Sequence, residues 1–201
     1  MTLRQPVNRQ IAVGLDPSWT GFGAALYDPA SGKHYTGVAK TTGTKGVPVG
    51  YRRIRLMHNR LMDVFANGMQ ALQCGWSDVS MICLEDFARG AINGREESGM
   101  VRSVTLDFLG EMFGDTKVAY PTLVATTALK KYVLGSGRGE KSDMKMATYK
   151  KWGVEFKNDN ECDAYGLARI AAALGNTSDV ALAYEREVLA NLGRHGGWEP
   201  H

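Results

Sequence analysis

Ile11-Ala12-Val13-Gly14-Leu15-Asp16-Pro17-Ser18-Trp19-Thr20-Gly21-Phe22-Gly23 is the stretch that decides how this chain folds. A short apolar run ends in a carboxylate, turns through Pro, Ser and Gly, and gives way to a second apolar run from Ala24. Runs of this length, rich in β-branched residues and bounded by Pro and Gly, form buried strands. Asp16 therefore stands at the end of a strand inside a sheet. An unpaired carboxylate there is costly to desolvate, so it needs a cation, a cluster of donors or a second proton. The plainer reading is that Asp16 only caps the turn.

Outward from this stretch, 22–27 is a second strand, 28–32 a turn cluster and 33–41 a third strand, joined by short connections as an antiparallel meander. A Gly/Thr/Pro loop fills 42–50. Helical spacing runs over 51–73, with Ile54, Met57, Leu61, Val64, Phe65 and Leu72 on one side and Arg52, Arg53, Arg55 and Arg60 read as a solvated face. The run 79–84 is a fourth strand, again ending in an acid, Glu85. A loop over 88–95 leads to a helix over 98–113 with a wide apolar face, and 117–120 is a short fifth strand stopped by Pro121. Helices follow over 124–134, 142–152 (capped by Ser142), 160–174 and 178–192. The expected fold is α/β: a five-stranded mixed sheet, part antiparallel meander and part parallel, with helices on both faces. With no internal repeat and no linker, 1–201 reads as one domain, its core about 11–175 and an extra C-terminal helix about 178–192.

Composition sets bounds. The chain has 201 residues, enough for one domain with a real core, and a net charge of +3 that argues only weakly for a polyanionic partner. Cys74, Cys83 and Cys162 are odd in number and lack CxxC spacing, which disfavours a disulfide framework or a zinc site. A polar start and the lack of a membrane-length apolar run point to the cytoplasm, with no membrane partner. His34, His58, His195 and His201 show no ligand spacing and read as surface or turn residues. Gly135 to Ser142 approaches a phosphate-binding loop, but Glu140 stands where the second glycine belongs and a helix precedes it, so a nucleotide site is rejected.

The acids form a constellation. Asp16 and Glu85 converge if their strands are neighbours. The helix near 160 opens Asn158-Asp159-Asn160-Glu161-Cys162-Asp163, and the spacings 159/163 and 160/163 share one helical face. Asp163 faces inward, because Leu167, Ala168, Ala171 and Leu174 face the core. Several carboxylates aimed at one place repel unless a cation neutralises them. An all-oxygen site suits Mg²⁺ or Mn²⁺, and two such ions can activate water for phosphodiester hydrolysis.

These residues carry a resemblance. Gly14-Leu15-Asp16-Pro17-Ser18 with Thr20-Gly21-Phe22-Gly23 resembles the opening motif of the RuvC family of Holliday junction resolvases. Leu84-Glu85 resembles the family's second acid and Asp163-Ala164 its last. Ala128 to Gly135 and Gly139 to Ser142 resemble its two lysine-bearing segments, placing Lys130 and Lys141 near the scissile strand. The resemblance spans about 11–174 in the right order, and the small size suits a phage-borne member. It implies an RNase H-like fold, two Mg²⁺ (or Mn²⁺) ions per site, and nicking of four-way junctions and other branched DNA by a homodimer.

The family usually has an Asp or His three residues before the last acid, where this chain has Asn160. Asp159 is the expected fourth acid, with Asn160 the alternative. Phe87 takes the place of the family's aromatic after the second acid, or simply packs. Arg89, Lys130, Arg138 and Lys141 are the basic DNA contacts. For the dimer, the helix 98–113 offers two apolar strips: Met100, Val104 and Phe108, beside Val101, Thr105, Leu109 and Met112. One strip is left for a partner, unless the C-terminal helix covers both. Two other readings compete: a non-catalytic binder of branched DNA, and an actin-like or Hsp70-like ATPase, whose duplicated fold needs a longer chain.

Overall fold

The computed structural model of this chain describes residues 9–41, 50–86, 95–114, 116, 118, 120–176, 180 and 182–194. Phe87, Arg89 and the expected helix start at Ser178 lie outside the described residues. The elements are β1 (Ile11–Asp16), β2 (Gly21–Tyr27), β3 (His34–Lys40), α1 (Tyr51–Leu72), β4 (Val79–Glu85), α2 (Arg95–Phe113), β5 (Thr122–Val124), α3 (Thr126–Leu134), α4 (Lys141–Trp152), α5 (Asp159–Gly175) and α6 (Ala183–Arg194).

The sheet runs β3-β2-β1-β4-β5. The β1–β2 and β2–β3 pairs are antiparallel, and the β1–β4 and β4–β5 pairs parallel. This is the expected five-stranded mixed sheet. β1 is central and every residue in it is buried. Alternation along the strand sends Ile11, Val13 and Leu15 into one core with Met57, Phe65 and Phe108, from α1 and α2. Ala12 faces the other core, built from α3, α4, α5 and α6 around Tyr165. Each large side chain buried in this way stabilises the fold by about 2–3 kcal/mol. Among the described residues no helix is long and apolar enough to cross a membrane.

The fifth strand is Thr122–Val124, pairing with Cys83–Glu85; of the expected span 117–120, the described residues 118 and 120 are in no strand. Pro121 has no N–H to give a ladder, so it precedes the strand rather than closing it. The shift moves the start of α3 to Thr126, at the same sheet end as Glu85. α4 begins at Lys141, one residue earlier than expected. Its first turn is closed by the Asp143 carboxylate, which accepts the Glu140 N–H at 2.8 Å, and Ser142 does not cap it.

Both strips of α2 turn inward. Val101, Val104, Thr105, Phe108 and Leu109 are buried while Met100 and Met112 are partly exposed, so most of each strip is internal. The cover is α1 and the sheet, not the C-terminal helix, which packs on the opposite face. Two surface expectations also change. Arg53 stacks over Trp19 at 4.8 Å and donates to the Thr41 hydroxyl at 3.0 Å, which itself donates to the Trp19 carbonyl at 2.6 Å. His34 is half-buried against Tyr165, with ring centroids 4.8 Å apart.

Candidate active site

Register brings the first two acids together. Leu15 pairs with Leu84 across the parallel β1–β4 ladder, so the next residues, Asp16 and Glu85, stand side by side at the carboxyl ends of adjacent strands. Asp16 is 7% exposed. Its carboxyl lies within electrostatic reach of those of Glu85 and Asp163.

The third acid arrives through glycine. A Cβ on Gly14 would sit 2.0 Å from the Ala164 carbonyl oxygen and 2.3 Å from the Ala168 nitrogen. A Cβ on Gly23 would sit 2.3 Å from the Asn160 carbonyl oxygen. Bare backbone at these two positions lets α5 lie directly on β1 and β2. The Asn158 carboxamide oxygen starts the helix by accepting the Asn160 N–H at 2.8 Å. Asp163, one turn in, then comes within electrostatic reach of Asp16 and Glu85.

Burial first, and the neighbouring Glu85 carboxyl next, hold the Asp16 carboxyl well above the usual carboxylate range. The same causes, burial and then Glu85, push Asp163 up to about 6. Lys141 opposes both shifts and Lys130 opposes that of Asp163. The structure therefore gathers Asp16, Glu85 and Asp163 at one sheet end with Lys130 and Lys141 near them.

Asp159 sits at the edge of this group. Its carboxylate pairs with Lys145 at 2.6 Å and Lys141 at 3.3 Å, and Lys145 first, then Lys141, lowers its pKa. Asn160 donates its amide to the Gly21 carbonyl at 2.5 Å, which stitches α5 to the start of β2. Lys130 donates to the Gly139 carbonyl at 2.7 Å, so the basic loop over 135–140 is anchored rather than loose. Arg138 is exposed on that loop.

Two members of the site escape sequence reasoning. Thr126 donates its hydroxyl to the Glu85 carboxylate at 2.5 Å. A threonine that opens a helix straight after a strand beside the acid-bearing strand is the available signal. Lys145 lies one turn after Lys141 on α4, and i, i+4 spacing is its signal.

The donor set is oxygen-only and acidic, and burial raises the carboxyls of Asp16 and Asp163. That chemistry fits a hard divalent cation such as Mg²⁺ or Mn²⁺. Among the described residues, no three His, Cys, Asp or Glu side chains are already drawn together closely enough to hold a metal ion. The acids form an open cluster, not a closed cage.

No protein-family model matches the chain, and no curated protein does. Solved structures do. A Thermus thermophilus RuvC structure superposes with a TM-score of 0.57 at 14% identity, covering 91% of this chain and 96% of that one. The T. thermophilus RuvC in complex with Holliday junction substrate gives a TM-score of 0.56 at 16% identity, covering 79% of this chain and 90% of that one. At such identities the likeness is one of fold: the chain has the fold of the RuvC structures over most of its length.

Proposed function

We propose that this protein is a metal-dependent endodeoxyribonuclease that nicks four-way junctions and other branched DNA. The observation that carries the proposal is the Asp16–Glu85–Asp163 cluster, with Asp16 buried and the other two half-buried, mutually repelling and flanked by lysines at one end of a RuvC-like sheet. Divalent ions held by Asp16, Glu85 and Asp163, with Asp159 as the fourth acid, would activate water and stabilise the leaving oxygen.

The chain's own residues have distinct roles in this reading. Thr126 fixes the rotamer of Glu85 by hydrogen bonding. Asp159 holds Lys141 and Lys145 at the rim, where a DNA phosphate would take over their charge. Lys141, 73% exposed, then reaches a phosphate oxygen and offsets developing negative charge. Lys130 shapes the loop that carries Arg138, and Arg138 contributes affinity through phosphate contact. Asn160, tied to Gly21, supports the helix start.

One chain offers one acidic cluster, and symmetric resolution of a junction needs two nicks, so a two-fold homodimer is part of the proposal. The outward side of α2, where Leu106 is 45% exposed and Met100 partly exposed, is its contact surface.

Binding without cleavage separates the parts of the proposal. With Mg²⁺ replaced by Ca²⁺, the protein is expected to shift a synthetic four-way junction at concentrations that leave linear duplex free. Equal affinity for both DNAs would remove the claim of branch selectivity. Selective binding with no nicking when Mg²⁺ is restored would favour a non-catalytic binder.

A further inference from the structure

A second site lies on the same face of the sheet, away from the acids. Tyr27 closes β2 and pairs with Ala12, while Asp16 pairs with Gly23, four residues earlier on β2. Four residues along a strand separate the two places by roughly 14 Å. At the Tyr27 end, α3, α4, α5 and α6 surround a cavity of about 300 Å³ lined by Tyr27, Tyr132, Lys151, Trp152, Arg169 and Glu185 among others.

Its charges do not balance. Lys151 pairs with the buried carboxylate of Glu185 and donates to the Tyr132 carbonyl at 2.7 Å. Arg169 has no carboxylate partner among the described residues. Its guanidinium lies over the rings of Tyr27 at 4.6 Å and Trp152 at 4.8 Å, and one N–H reaches the Tyr165 hydroxyl at 3.3 Å. A guanidinium has five donors in a planar fork. The rings hold the plane in place, and among the described residues the remaining N–H groups have no acceptor. A fixed fork of this kind matches a phosphate, with a lysine beside it as a point charge. Ring faces and small apolar side chains line the rest, as they do in pockets for planar organic ligands. Burial, the largest influence on Lys151, lowers its pKa, and an added anion would oppose that shift.

We propose that this cavity binds a phosphate monoester on a planar body, of the size of a nucleoside monophosphate, with Arg169 and Lys151 on the phosphate. Two sources share this chemistry: a free nucleotide and the 5′-phosphate of a DNA strand end.

The test is calorimetric titration of the full chain with dTMP, thymidine and inorganic phosphate. dTMP is expected to bind, with thymidine and phosphate each about tenfold weaker or more. Arg169→Gln should weaken dTMP by about tenfold or more. Arg169→Lys, which keeps the charge and loses the fork, should also weaken it, and serves if the glutamine variant does not fold. Asp163→Asn should bind dTMP as the wild type does, which separates this cavity from the acidic cluster. A 5′-phosphorylated tetrathymidylate that binds as well as dTMP identifies a strand end as the source, and one that is excluded identifies the free nucleotide; either result supports the site. No binding of dTMP at millimolar concentration, wild-type affinity in both Arg169 variants, or loss of binding in Asp163→Asn would each overturn the proposal.

Discussion

Asp16 and Glu85 stand side by side at the ends of two adjacent parallel strands, and the Asp16 carboxyl is raised well above the ordinary range by burial and by that neighbour. A pair of this kind cannot ionise fully without a cation. Under the proposed function, Asp16→Asn and Glu85→Gln should each reduce junction nicking in Mg²⁺ by about a thousandfold or more, a loss of about 4 kcal/mol of transition-state stabilisation. Binding should persist, because phosphate contacts supply it. Single-turnover cleavage beside a gel-shift titration reads both quantities.

Stability should carry the mark of Asp163. Its pKa rises from 3.8 to about 6 on folding. The native state therefore holds its proton to higher pH than the unfolded chain, and stability falls as pH rises from about 4 to about 6. The full cost, about 1–3 kcal/mol, is present above that window. In metal-free buffer at pH 8, Asp163→Asn should be more stable than wild type by that amount, and near pH 4 the gap should close. Mg²⁺ should raise the wild-type melting temperature at pH 8 more than at pH 5. Urea unfolding of both proteins at the two pH values checks this, and a pH-independent gap would count against it.

Gly14→Ala should be severe although it adds one methyl group. The new Cβ would meet helix backbone at 2.0 Å, which no rotamer relieves. A loss of about 3 kcal/mol or more is expected, together with displacement of α5 and of Asp163. Ordinary stability in that variant would contradict the direct seating of α5 on β1.

Asp159→Asn and Asn160→Ala distinguish the two candidates for the fourth position. The first removes a ligand and frees Lys141 and Lys145, so nicking should fall about a hundredfold. The second removes the tie to Gly21 and should lower stability by about 1 kcal/mol with a smaller effect on rate. A greater rate loss at Asn160 would reverse the assignment.

Much of this arrangement is legible in the sequence, because it rests on short-range pattern. The apolar runs that end in Asp16 and Glu85 are strands by composition, and the core-facing positions after Asp163 fix the side of the helix it occupies. The strand at Thr122–Val124 is misplaced by sequence reading because Pro121 punctuates a strand equally well from either end. The two strips of α2 look like one too many only until α1 is known to lie beside them. Thr126 and Lys145 belong to the site through contacts across 41 and 14 residues of chain, which local spacing can suggest but does not specify.

The most direct test of the central claim is cleavage of a synthetic four-way junction in Mg²⁺ by the wild-type protein and by Asp163→Asn. The expected result is paired nicks on symmetry-related strands with the wild type and none above background with the variant, although both bind the junction. Equal nicking by the two proteins, or a junction left intact by the wild type across Mg²⁺ and Mn²⁺ concentrations, would contradict it.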